Sequence, residues 1–224
     1  MSLESGTQTA TLNPTVNANA PLADPGPAQP KTVHWFRGLV GGNTRKGIAW
    51  IYAAILILTA QEYPNWAGIL ICAAGAGVRF WASGYLRKNT RPSVGGPYAH
   101  ARNPLYLGTY LMQVGASVAV GQWALALVGT VLFAVVYHCV ILDEEEKLER
   151  IFGAPYQLYL QRVPRFFPSP IRPSREKLLE INPALEHLKF SWELSRINKA
   201  HPWVTFGALI GILFAIVHAR LTWF

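Results

Sequence analysis

Five apolar segments dominate the chain, each close to the length that crosses a bilayer. They run from Ile48 to Tyr63, Trp66 to Tyr85, Leu105 to Val120, Trp123 to Leu142 and Trp203 to about Leu221. Crossing the hydrocarbon as a helix takes roughly 20 apolar residues, with a range near 17–25. The second and fourth segments meet that length fully. The first, third and fifth are marginal and would also suit core helices of a soluble protein. Three features favour the membrane. Ionisable groups are few inside the segments. Trp or Tyr stands at their ends, as at a membrane–water interface. The basic residues also sort by loop. Composition agrees: 51% of the residues are hydrophobic and 14% charged, against about 25% charged in a typical soluble domain.

The sorting of basic residues explains the net charge of +8. Lys31, Arg37, Arg45 and Lys46 precede the first segment, and Arg87, Lys88, Arg91 and Arg102 separate the second from the third. Ten more lie between Asp143 and Pro202, while the turns at Pro64-Asn65 and Gly121-Gln122 have none. Such alternation is membrane topology, so no nucleic-acid partner is expected. The positive-inside rule places the N-terminus and both long basic loops in the cytoplasm, and the C-terminus outside. Arg79 and Arg220 fall inside segments, and Arg220 is close enough to an end to snorkel. The expected fold is all-α, a polytopic membrane helix bundle of about five transmembrane helices. Residues 1–34 read as a disordered cytoplasmic tail without a secretory signal. Residues 35–168 read as a core with four spans, 169–202 as an amphipathic cytoplasmic or interfacial segment, and 203–224 as the last transmembrane helix.

Small residues mark helix packing. Ala73, Gly77 and Gly84 share a face of the second segment, and Gly207 and Gly211 pair in the fifth. Cys72 and Cys139 lie in apolar runs and read as small buried side chains. Two thiols at this spacing build neither a zinc site nor a disulfide framework, and no metal is expected. Beyond Pro168, Asn182 is placed to cap a helix that starts at Pro183. Leu185, Leu188 and Trp192 then fall on one face. Such a helix either lies on the membrane surface or covers a cytoplasmic site.

The two longest basic loops carry the chemistry. The first holds Arg87-Lys88-Asn89-Thr90-Arg91-Pro92-Ser93-Val94 and then GGPYAHARNPLYLG over residues 95–108. Gly95-Gly96-Pro97 is a turn that lets backbone N–H groups approach a ligand. Asn103-Pro104 marks a helix start, where unpaired N–H groups collect. Tyr98 and Tyr106 offer rings and hydroxyls. The second loop opens with Asp143-Glu144-Glu145-Glu146. Four carboxylates at a helix C-terminus oppose the macrodipole. Either they await a cationic partner, or Lys147, Arg150 and Arg165 neutralise them.

These residues resemble the membrane methyltransferases related to isoprenylcysteine carboxyl methyltransferase and phospholipid N-methyltransferase. The likeness rests on Gly96-Pro97-Tyr98, on Arg102-Asn103-Pro104-Leu105-Tyr106-Leu107-Gly108 and on Glu144-Glu145. It continues through Leu148, Phe152, Gly153, Tyr156, Tyr159, Val163-Pro164-Arg165 and Pro168, covering roughly residues 85–168. It implies S-adenosyl-L-methionine bound in a pocket at the cytoplasmic face. By matched position the pocket is lined by Thr90, Arg91, Pro92, Ser93, Tyr98, Asn103, Pro104, Leu105 and Tyr106. Glu144 accepts hydrogen bonds from the cofactor, with Glu145 beside it. Carboxylates and aromatic faces suit its sulfonium and ammonium.

The sequence departs from the family pattern twice. Asn103 stands where the family has His, keeping hydrogen bonding but losing a titrating imidazole. Val140 stands where the isoprenylcysteine enzymes have a substrate-contacting Arg. Two further residues are candidates for a catalytic part: Arg79, a cation inside the second segment that either serves the substrate or snorkels to the cytoplasmic interface, and His138 in the fourth, either a base or a hydrogen-bonded structural residue. The implied activity is methyl transfer to an amphipathic or lipid-like acceptor drawn from the bilayer, with membrane lipids as partners. Phospholipid amine methylation, nicotinamide-dependent reduction of a lipid or sterol, and a non-enzymatic membrane scaffold are the alternatives.

Overall fold

The computed structural model describes residues 42–60, 65–87, 91–187 and 189–198. The tail and the 203–224 segment, with Gly207, Gly211 and Arg220, lie outside the described residues, as do Thr90 and Leu188. The described residues form α1 (Gly42–Leu58), α2 (Trp66–Ser83), a 3-10 turn (Gly96–Ala99), α3 (Pro104–Ala119), α4 (Trp123–Phe152), α5 (Ala154–Arg162), α6 (Arg175–Ile181), a second 3-10 turn (Pro183–His187) and α7 (Trp192–Ile197). No strand occurs among them.

Two helices, α2 and α4, are long and apolar enough to cross a membrane. Helix α1 has 17 residues and α3 has 16, each short of that standard. Large apolar side chains stand exposed along α1, α2 and α4, among them Trp50, Leu58, Trp66, Leu70, Trp123 and Leu127. In water such a surface would be a liability; in lipid it is the ordinary exterior of a span.

Local chemistry sets the helix ends. The Ala67 amide donates to Asn65 Oδ1 at 2.9 Å, capping α2. Pro104 opens α3, where its missing N–H is no loss. The Asn65 amide also donates to the Ala119 carbonyl at 2.8 Å, and Gln122 Nε2 donates to the Thr59 carbonyl. The two turns that lack basic residues therefore meet at one end of the bundle.

Helices α2 and α3 touch backbone to backbone through a glycine seam. A methyl group built on Gly75 would lie 2.7 Å from the Gly108 carbonyl oxygen, and one on Gly115 would lie 2.8 Å from that of Gly68. Cys72, Ala76 and Met112 fill the space between. The packed face is thus Gly68, Cys72, Gly75 and Ala76, and not the Ala73–Gly77–Gly84 face expected from spacing. A methyl on Gly77 would meet nothing within 4 Å, and Gly84 packs against the Phe190 ring instead. Cys72 is buried as expected; Cys139 is only half-buried.

Helix α4 does not end near Leu142. It continues as one helix through Asp143–Glu146 to Phe152, where Gly153 turns the chain at φ 59°. The carboxylates therefore stand well before the helix terminus, and the dipole effect fades beyond the last turn. Ion pairs take over: Glu145 with Arg102 and Arg165, and Glu146 with Arg150. Beyond the apolar part of α4 a second core forms from Val94, Ala99, Phe152, Tyr156, Tyr159, Val163, Leu178 and Ile181.

The 169–198 segment is not one amphipathic helix. Two short helices flank a 3-10 turn, so Leu185 and Trp192 sit on different elements. Asn182 does cap the turn, accepting from the Ala184 amide at 3.0 Å. Its amide donates to the Pro92 carbonyl at 2.9 Å, and Asn198 Nδ2 donates to the Leu86 carbonyl at 2.8 Å. The segment thereby straps down both ends of the 86–93 loop.

Candidate functional site

A cavity of about 580 Å³ opens between the 86–93 loop, the first 3-10 turn, the start of α3, the acidic part of α4, and α5. Of the residues anticipated for the cofactor, Arg91, Pro92, Ser93, Tyr98, Asn103, Pro104, Leu105, Tyr106 and Glu144 all line it. Segments far apart in sequence are thus brought to one site.

Three groups define its polar character. Tyr106 Oη donates to Glu144 Oε2 at 2.6 Å, bridging α3 and α4 while the carboxylate stays exposed. Tyr98 is buried, and its hydroxyl has no hydrogen-bond partner. Burial, and then the negative charge of Glu144, push its pKa far above the ordinary tyrosine value. Tyr98 therefore keeps its proton and remains a donor. Tyr156 and Tyr159 in the same wall are raised first by burial too, with Glu145 next at Tyr156 and Tyr98 next at Tyr159. Tyr159 Oη donates to the Tyr98 carbonyl at 2.8 Å and so fixes the turn that carries Tyr98.

Glu145 does not line the cavity. Its carboxylate is bound by Arg102 at 2.9 Å and by Arg165 at 2.9 Å. Arg102 Nη1 also donates to the Leu160 and Val163 carbonyls at 2.6 and 2.7 Å. One guanidinium thus ties the start of α3, the acidic run and the end of α5 together. Asn103 Nδ2 donates to the Arg165 carbonyl at 3.0 Å. A side-chain donor suffices for that contact, and no titrating group is needed.

The two catalytic candidates stand outside the lining. Arg79 crosses α3 above Gly108 and donates from Nη1 to the Leu105 carbonyl at 3.1 Å and to Thr109 Oγ1. It lies within electrostatic reach of Tyr98, Tyr106 and Tyr137. His138 is exposed on α4 and is not among the lining residues. Sequence reasoning assigned no ligand role to Arg87, Arg102, Asp143, Lys147, Leu148, Phe152, Tyr156 or Tyr159, which line the cavity. Several belong to the same motif, whose spacing of Leu148, Phe152, Tyr156 and Tyr159 puts them on one side of α4 and α5.

The elements that build this cavity carry a family signature. Residues 66–155 match the phospholipid methyltransferase family. The matched stretch takes in α2, α3, α4 and the first residues of α5. The chain is also similar to the nickel-cobalt-cadmium resistance protein NccN of Alcaligenes xylosoxydans xylosoxydans, 31% identical over 132 residues, 58% of this chain and 57% of that protein. The cobalt-zinc-cadmium resistance protein CzcN of Cupriavidus metallidurans is 30% identical over 132 residues, 58% of this chain and 56% of its own length. The match thus spans little more than half of each relative. No solved structure matches the chain. Among the described residues no group of three or more His, Cys, Asp and Glu side chains is arranged to hold a metal ion.

Proposed function

We propose that the chain is an integral membrane methyltransferase that uses S-adenosyl-L-methionine and acts on an amphipathic or lipid-like acceptor. The reading places the site on the cytoplasmic face, the N-terminus inside and the C-terminus outside. One observation carries it: an exposed carboxylate, an unpartnered buried hydroxyl and several aromatic rings line one cavity at the acidic part of α4, directly after its apolar stretch.

The residues fit that cofactor. Glu144 and Asp143 suit its sulfonium and ammonium; Arg87, Arg91 and Lys147 suit its carboxylate. Tyr98 Oη supplies a spare donor, and the Tyr106, Tyr156 and Tyr159 rings supply apolar and π surface. When bound, the cofactor supplies an activated methyl group. The chain's own work is then to orient and to exclude water. Tyr106 holds the Glu144 carboxylate in the cavity wall. Arg102 and Glu145 tie the start of α3 to α4 and hold the wall in place. Arg79, beside three tyrosines and at bilayer depth on α2, is the group for steering the acceptor's polar head.

Calorimetry on the purified protein tests the cofactor, with S-adenosyl-L-methionine and NADPH as titrants. Heat from the first alone is expected. Heat from NADPH alone would move the chain to the reductases, and no heat from either would reject both. Transfer of a labelled methyl group into a host lipid extract, followed by mass analysis, then identifies the acceptor.

A further inference from the structure

The loop after α5 reads Arg165-Phe166-Phe167-Pro168-Ser169-Pro170-Ile171-Arg172. Its first residue is tied to the acidic run, since Arg165 Nη2 lies 2.9 Å from Glu145 Oε2. Its second residue turns the other way along α4. The Phe166 ring centroid lies 5.9 Å from that of Phe133 and 6.0 Å from that of Tyr110. Phe133 precedes Asp143 by ten residues, about 15 Å of helix rise at roughly 1.5 Å per residue. Phe166 therefore reaches from the acidic level of α4 into its apolar level.

The next apolar side chains are left uncovered among the described residues. Phe167 is 73% exposed with its ring edge-on to Phe166 at 5.3 Å, and Ile171 is 82% exposed. The backbone between them is held in place. The Ser169 amide donates to the His100 carbonyl at 2.9 Å, His100 Nδ1 lies 2.8 Å from the Ser169 carbonyl, and Ser169 Oγ bonds both the amide and the carbonyl of Ile171. The exposure of Phe167 and Ile171 is thus built into a pinned loop that also carries two prolines. Arg172 adds an exposed cation at its far end.

We propose that Phe167 and Ile171 insert into the leaflet surrounding α3 and α4, making the 165–172 loop a fixed membrane wedge with acyl chains as its partner. Continuity argues for lipid as the occupant: Phe166 joins the wedge to rings at the apolar level of α4, and the exposed Arg172 at its far end suits the headgroup zone. The proposal rests on α4 being a span, and not on the methyltransferase reading.

Nitroxide labels test it in vesicles of phosphatidylcholine and phosphatidylglycerol, on a C72A/C139A background. Single cysteines replace Phe167, Ile171, Leu127 on the exposed face of α4, and Lys177 on α6. Labels at 167, 171 and 127 should collide more with oxygen than with a water-soluble nickel chelate, and the label at 177 the reverse. Water-like behaviour at both 167 and 171 beside a lipid-like 127 overturns the wedge. A water-like 127 overturns it together with the span, which keeps the two failures apart. Because 167 and 171 report independently, loss of one variant to misfolding leaves the other to decide.

Discussion

Arg102 and Glu145 form an ion pair at 2.9 Å with each side chain only 8% exposed, joining the start of α3 to the acidic run of α4. Removing one partner of such a pair strands the other charge, at a cost of about 3–5 kcal/mol. Glu145→Gln is therefore expected to lower the melting temperature in detergent clearly. Its neighbour differs. Glu144 is exposed and faces the cavity, so Glu144→Gln should leave melting nearly unchanged. It should weaken S-adenosyl-L-methionine binding about tenfold, since charged hydrogen bonds are worth roughly 1.5–3 kcal/mol. Equal melting shifts in the two variants would remove the distinction.

Asn103 acts through a donated hydrogen bond to the Arg165 carbonyl. Asn103→His, which retains a donor, should keep stability within about 1 kcal/mol of the parent. Asn103→Asp sets a carboxylate against that carbonyl and should lose about 1–3 kcal/mol. Denaturant titration compares the two.

The glycine seam makes a paired prediction within one helix. Gly75→Ala drives a methyl into the α3 backbone and should destabilise by about 1–3 kcal/mol. Gly77→Ala enters open space and should be neutral or stabilising by up to about 1 kcal/mol. Thermal melts of the two proteins should shift in opposite directions or differ widely.

Three buried tyrosines predict alkaline instability. Tyr98, Tyr156 and Tyr159 hold their protons in the fold above the ordinary tyrosine pKa of about 10. Above about pH 10 the unfolded chain therefore binds fewer protons than the native one, and stability falls as pH rises. Below that pH both states are protonated and these groups contribute no slope. Ultraviolet titration should leave these phenols un-ionised at about pH 11 until the protein unfolds. Smooth ionisation of all nine tyrosines near pH 10 without unfolding would contradict the burial.

Arg79 offers a kinetic test of the proposed acceptor side. Arg79→Gln should raise the acceptor KM while leaving S-adenosyl-L-methionine affinity unchanged, because Arg79 lies outside the cavity lining. A loss confined to cofactor affinity would reassign it.

Much of the site was legible because one motif both folds and faces the cavity. Pro104 must open a helix, Gly96 must turn at φ 54°, and Tyr98 and Tyr106 follow at fixed offsets from them. The course of α4 was not legible. A run of four acidic residues after an apolar stretch reads as the end of a span. Only the arginines just before α3 and just after α5, remote in sequence, let Glu145 sit buried in a continuing helix. The packed face of α2 was hidden for a similar reason. Gly75 and Gly77 are alike locally, and only the partner helix shows which one is in contact.

With α4 as the proposed span, its length would tie the cavity to membrane thickness. Thirty residues make a rod of about 45 Å, against a hydrocarbon layer of about 30 Å. The surplus carries Glu144 and Glu145 and is bolted through Arg102 to the rest of the cavity wall. Mismatch costs fractions of a kcal/mol per Å, so a thicker bilayer tilts the rod or draws Asp143 toward acyl chains. On that topology, lipid composition would become a setting on the height and dielectric surroundings of the site itself.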